Sequence, residues 1–413
     1  MRPSRILPLT LLAVALVVPP AHAAQETCRG QTATIVGEPG GTVTGTDGDD
    51  VIVTNGATET DAGAGADTIC VTGGYAYLVD AGDGDDVVDT TAFDDLHDQV
   101  RVVLGTGADT FVGGSGRDTV TTGTDLVDAD TDRVTTGRGH DYVFTGQRLL
   151  ADQDDVDLGR GNDHLFLASD HNGGSLDGGP AKNDVSLDLS AGTWVVDDEA
   201  DELRRAGTVV SRWAALGVAS VDGKRGVDVR YVGSGGDDHL FLAVNLRSAD
   251  LGTGDDLLFF DLGGVVTRRI AGGPGHDSLN AFARTSVDLD LRQHRLARST
   301  DGDGYRLAGL EYYRVGADRV RMIGGPRADE LGYDGCTVHV RGNGGGDRLH
   351  WVNAGRGCED RTRFRVLGGR GDDRLRGGPY RDHLDGGLGT DLARGQGDVD
   401  WCRAETVSGC EEP

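Results

Sequence analysis

Aspartates that recur at one fixed place behind paired glycines are the residues of this chain best suited to chemistry. The clearest stand in three successive lines, GGRGDDRLR from Gly368, GGPYRDHLD from Gly377 and GGLGTDLAR from Gly386. Glycine fills places one and two, aspartate place six, and an apolar residue usually place eight. Asp373, Asp382 and Asp391 therefore share the sixth place, and a worn copy from Gly395 adds Asp400. A glycine-rich turn reaches positive φ and can point several backbone carbonyls inward without a side-chain clash. With one carboxylate added, the donors are all oxygen, which suits a hard cation that takes roughly six to eight oxygens.

The same turn returns along the chain. GTDGDDVI, AGAGADTI, AGDGDDVV and LGTGADTF place Asp50, Asp67, Asp86 and Asp109. GGSGRDTV, TGRGHDYV and LGRGNDHL place Asp118, Asp141 and Asp163. GSGGDDHL, LGTGDDLL, GGPGHDSL and GNGGGDRL place Asp238, Asp256, Asp277 and Asp347. This resembles the hemolysin-type calcium-binding nonapeptide of the repeats-in-toxin family, G-G-x-G-x-D-x-U-x. The resemblance implies a parallel β-roll in which stacked turns share Ca2+, with these fifteen aspartates as ligands. Each apolar residue two places after its aspartate is expected to face the core of a short strand.

The spacing sets the architecture. Gly368 and Gly386 lie one dense coil apart, as do Gly377 and Gly395, so both columns of turns are filled at the C-terminus. Elsewhere the turns recur about once per coil, which predicts one calcium-type column with variable loops opposite. Two stretches, Val185–Val232 and Ser286–Ile323, interrupt the series and alternate apolar with polar residues, as half-buried strands do. They read as β-hairpin inserts or, more sharply, as a ligand-binding face. The expected fold is all-β, an irregular parallel β-solenoid with two β-rich inserts. Its divisions are 1–23, 24–177, 178–330 and 331–413: a signal peptide, N-terminal repeats, repeats carrying the inserts, and a C-terminal roll with a disulfide cap.

Composition agrees. Of the 413 residues 68 are glycine, and the 68 acids outnumber 40 basic residues for a formal charge of −28. Aspartate supplies 57 of those acids, so turns are favoured over helix. So acidic a chain argues against sequence-independent nucleic-acid binding. Arg2 and Arg5, an apolar run from Ile6 to Val18 and Ala21-His22-Ala23 read as a cleaved secretory leader. Six cysteines suit that oxidising destination, and their order suggests Cys28–Cys70, Cys336–Cys358 and Cys402–Cys410. No later apolar run is long enough to span a bilayer.

Departures from the pattern limit it. Tyr380 and Arg327 stand where place-four glycine belongs, so those turns are expected to bind weakly or only to shape the coil. The histidines fall at outward repeat positions (His140, His276 at place five; His164, His239, His383 at place seven), and neither a G-x-S-x-G elbow nor an H-E-x-x-H helix occurs. The reading is a secreted, non-catalytic, calcium-organised protein of structural, adhesion or surface type, with an extracellular glycan or surface protein as partner class. The alternative is a calcium-dependent, lyase-like enzyme on the solenoid, for which Arg361-Thr-Arg-Phe-Arg365 would supply an arginine face.

Overall fold

The computed structural model describes residues 26–411 apart from 74–76, 93–98, 124–129, 146–152, 169–172, 224–225, 263–267, 299–303, 353–357 and 359–362. The leader read over residues 1–23 lies outside these, as do the first two residues of the Arg361–Arg365 stretch. Among the described residues there are strands and turns but no helix. Parallel strands wind a β-solenoid of about 15 turns. One long parallel sheet runs from Thr42–Thr46 to Thr406–Ser408. Each of its strands pairs with the coil before and the coil after, so the sheet advances along one axis instead of closing into a barrel. An 8-stranded parallel sheet from Ile35–Val36 to Leu176–Asp177 covers the early coils. A 14-stranded sheet from Thr208–Arg212 to Trp401–Arg403 covers the later ones.

The place-eight residues build the core. Ile52, Ile69, Val88, Phe111, Val134, Val156 and Leu176 stand in register from coil to coil and are all buried. On the long sheet Leu240, Leu258, Leu279, Tyr313, Leu331, Leu349 and Leu375 form the matching column. Each such side chain contributes about 1.5–3 kcal/mol by leaving water. Because strand side chains alternate between faces, a slip of one residue would expose an entire column.

The two interrupting stretches are strands, as their alternation predicts. In the first, Gly192–Asp197, Glu202–Arg205 and Thr208–Arg212 form an antiparallel meander at the edge of the 14-stranded sheet. In the second, Arg295–Ala297 pairs antiparallel with Ser286–Asp290 and with Gly304–Ala308, inside that sheet. Trp194 is buried in the first, its ring N–H donating to the Ser190 carbonyl at 2.8 Å. Trp213 is buried too, while Trp351 and Trp401 are half-buried. The cysteines pair as their order suggests: Cys28–Cys70, Cys336–Cys358 and Cys402–Cys410.

Candidate metal centres

The sixth-place aspartates stack into ladders. In each, the backbone N–H of one aspartate donates to Oδ1 of the aspartate one coil later. On the N-terminal sheet the sequence is Asp50, Asp67, Asp86, Asp109, Asp132 and Asp154, with N···O distances of 2.7–3.0 Å. On the long sheet one ladder joins Asp118, Asp141 and Asp163. A second joins Asp238, Asp256 and Asp277, and a third Asp329, Asp347, Asp373 and Asp391. Asp382 and Asp400 form a short ladder on the 14-stranded sheet. All fifteen aspartates expected from the sequence therefore sit on ladders.

The second carboxylate oxygen separates two kinds of turn. In five turns the place-two N–H closes onto Oδ2: Thr46 onto Asp50 at 2.8 Å, Ser234 onto Asp238 at 2.8 Å, Gly325 onto Asp329 at 2.6 Å, Gly378 onto Asp382 at 2.7 Å, and Gln396 onto Asp400 at 3.0 Å. In the open turns place two is left-handed, at φ 121° for Gly369 before Asp373 and 77° for Asn343 before Asp347. The place-two glycines before Asp67, Asp86, Asp256 and Asp391 are left-handed as well. In these turns Oδ2 is buried without a hydrogen-bond partner. Asp118 shares the unpartnered oxygen although Gly114 before it is not left-handed, and in Asp382 the unpartnered oxygen is Oδ1. At Gly368 a Cβ would lie 2.3 Å from Asp373 Oδ2, so that turn needs glycine at place one, whereas Ala62, Ala81 and Leu251 fill place one before Asp67, Asp86 and Asp256.

One rung reveals what Oδ2 faces. Asn183 occupies the ladder position after Asp163 and accepts its N–H through Oδ1 at 2.9 Å. Its Nδ2 donates to the carbonyl of Gly178, at place one, at 2.5 Å, and to that of Gly179 at 3.3 Å. An aspartate on that framework would set a carboxylate oxygen against those carbonyls, an arrangement that needs a proton or a cation between them. Electrostatics point the same way. Burial, with repulsion from the neighbouring rung, pushes Asp118 and Asp382 up to about 8 and Asp86, Asp256 and Asp347 to about 7. At neutral pH Asp118 and Asp382 are then mostly protonated and the other three about half so, and a cation that joins them restores their charge. Among the described residues no three His, Cys, Asp or Glu side chains converge as a metal cluster. A cation here would rest on one carboxylate oxygen and on backbone carbonyls, the hard donors that calcium takes.

Several ladder residues have no counterpart in the glycine pattern. Asp132 and Asp154 lack a G-x-G turn before them, and Asp329 follows the damaged GGPRAD copy, yet all three hold rungs. Three ladders end in glutamate: Asp277 donates to Glu311 Oε2 at 2.8 Å, Asp391 to Glu405 Oε2 at 2.8 Å, and Asp400 to Glu411 Oε2 at 3.0 Å. The expectation of one column per coil also needs correction. From Asp109 to Asp163 both sides of the solenoid carry ladders, on coils of 22 and 23 residues. Among the described residues, before Asp86 only the N-terminal sheet carries one, and from Asp238 to Asp347 only the long sheet does.

The model of the RTX calcium-binding nonapeptide repeat matches the chain in four copies, over residues 102–125 and 367–402. No curated protein matches the chain. The chain thus carries RTX repeats, repeats of this type bind Ca2+, and the all-β parallel solenoid is the β-roll expected of them.

Proposed function

We propose that this is an exported, non-catalytic β-solenoid that calcium folds and stiffens, serving a structural, adhesion or surface-interaction role. The observation that carries the reading is the buried, unpartnered Oδ2 of the open turns, set where Asn183 has an amide. Asp67, Asp86, Asp118, Asp163, Asp256, Asp347, Asp373 and Asp391 are the aspartates assigned to ions, together with carbonyls of their own turns. Asp50, Asp238 and Asp400 hold both oxygens by hydrogen bonds and, with Asp329, whose Oδ2 accepts from Gly325, shape the coil. Bound calcium supplies positive charge that neutralises stacked carboxylates and ties adjacent turns together.

The chain's own residues account for the rest. The ladder N–H groups fix each Oδ1, so the remaining oxygen has one direction left to it. The place-eight apolar residues hold the strands in register behind it. Without cations the stacked aspartates repel one another, and an acidic chain with few aromatics loosens. Folding is then coupled to metal, which suits a protein that meets millimolar calcium only after export. The three disulfides support an oxidising destination. Calorimetric titration of the oxidised protein with calcium tests the reading. Several ions per chain, with a gain of β-structure, are expected, and a protein that takes up none would refute it.

A further inference from the structure

The outer face of the 14-stranded sheet carries a feature that the calcium reading does not use. Arg321, His339, Arg365 and His383 stand in one column, each in register with the next along the solenoid axis. Arg341 flanks them in the adjacent column, between Ile323 and Leu367. Arg321, His339, Arg341 and Arg365, with Ile323 and Leu367, line an open cavity of about 320 Å³. Arg321 is paired to Asp288 at 2.7 Å, but Arg341 and Arg365 have no ion pair among the described residues. At the far end His383 stacks on Trp401, with ring centroids 4.0 Å apart and planes at 8°.

The column is cationic through its arginines, which alternate with histidines so that no two stand directly opposite each other. It is out of keeping with the rest of the chain. Residues 301–413 hold 17 arginines against 20 acids, a net of −3 within a total of −28. Of those acids Asp347, Asp373, Asp382, Asp391 and Asp400 are buried in ladders, so the surface of this segment is richer in arginine than its net charge suggests. The two arginines of the column, Arg321 and Arg365, stand two strands apart, about 9.6 Å, with His339 between them. That distance is close to two rings of a linear chain of sugar acids, so every second carboxylate would meet an arginine. Arginine binds carboxylate in a bidentate fork, and a flat aromatic pair at the end of the track offers a surface on which a sugar ring can lie. A nucleic acid fits less well, since its dense phosphates would also meet the acidic remainder of the molecule.

We propose that this face is a binding track for a linear, carboxylate-bearing polysaccharide laid along the solenoid axis. The test uses the oxidised, calcium-loaded protein and an oligogalacturonate too short to gel with calcium. Neutral dextran and single-stranded DNA of similar length are the comparisons. Binding of the oligogalacturonate that weakens with added salt is expected, with no binding of dextran. The double variant Arg341→Glu with Arg365→Glu should bind about tenfold or more weakly, with calcium stoichiometry and circular dichroism unchanged. Arg341→Lys with Arg365→Lys should retain part of the affinity. Equal binding by the glutamate variant, equal binding of dextran, or preference for the DNA would each overturn the proposal. Calcium uptake is read separately, so failure of the track and failure of the calcium reading are distinguishable.

Discussion

The side-chain amide of Asn183 donates to the carbonyl of Gly178 at 2.5 Å, filling with a hydrogen bond the space that the open aspartate turns leave to an oxygen. Asn183 is therefore an internal control for every other rung. It keeps the ladder bond from Asp163 and needs no cation. Asn183→Asp should convert it into a calcium-type turn. The variant is expected to bind one more ion than the parent in calorimetry. Without calcium it should lose about 3 kcal/mol or more, the cost of an uncompensated buried charge. An unchanged ion count would mean that the open turns are not the sites.

Asp373 and Asp391 are consecutive open rungs joined at 2.9 Å. Replacing both by alanine should lower the calcium count. It also strands the Asp347 N–H, which now donates to Asp373 Oδ1 at 2.7 Å. The loss of that bond alone should cost about 1–3 kcal/mol in denaturant unfolding. By contrast, Asp50→Asn should leave the count as it is, because the Thr46 N–H already holds Asp50 Oδ2.

Acidity should affect the calcium-free and calcium-loaded forms in different ways. Asp86, Asp256 and Asp347 are raised from 3.8 to about 7 by burial and neighbouring carboxylates. A carboxyl whose folded pKa is raised binds its proton more tightly folded than unfolded. Its contribution is present below pH 3.8 and is lost as the pH rises to about 7. The melting temperature of the EDTA-treated protein should therefore fall across that window. With calcium in excess the trend should flatten or reverse, because the ion replaces the proton. Parallel curves with and without calcium would contradict this.

The fold was legible in the sequence to the extent that one residue type served one purpose. Place-eight residues such as Ile69 and Leu375 face the core because the turn before them fixes their parity. The inserts could be read as strands from their alternation. Asp132 and Asp154 were hidden because the glycine pattern is absent before them, although their tails, Asp132-Arg133-Val134 and Asp154-Asp155-Val156, keep the apolar residue two places on. Coil arithmetic would have found them. Asp109, Asp132 and Asp154 are spaced like Asp118, Asp141 and Asp163, because two columns on one solenoid must advance together. Glu311, Glu405 and Glu411 could not be read this way, since a longer side chain reaches the same N–H from a turn of different shape. The division into open and closed turns depends on backbone φ at place two, which composition does not encode: Gly325 and Gly378 close, whereas Asn343 opens.

The disulfides should differ in weight. Cys28–Cys70 spans 42 residues and Cys402–Cys410 only 8. On the chain-entropy account the longer loop contributes about 4 kcal/mol and the shorter about 2.5 kcal/mol. Replacing the first pair by serine should lower the denaturation midpoint more than replacing the second. Equal losses would indicate that the terminal cap carries more of the stability than its loop length suggests.

The most direct test of the central claim is a calcium titration of the oxidised protein, following heat and far-ultraviolet circular dichroism together. Several ions bound per chain, β-structure gained as they bind, and loss of both in excess EDTA are expected. A folded protein whose spectrum ignores both calcium and EDTA, with no heat of binding, would contradict it.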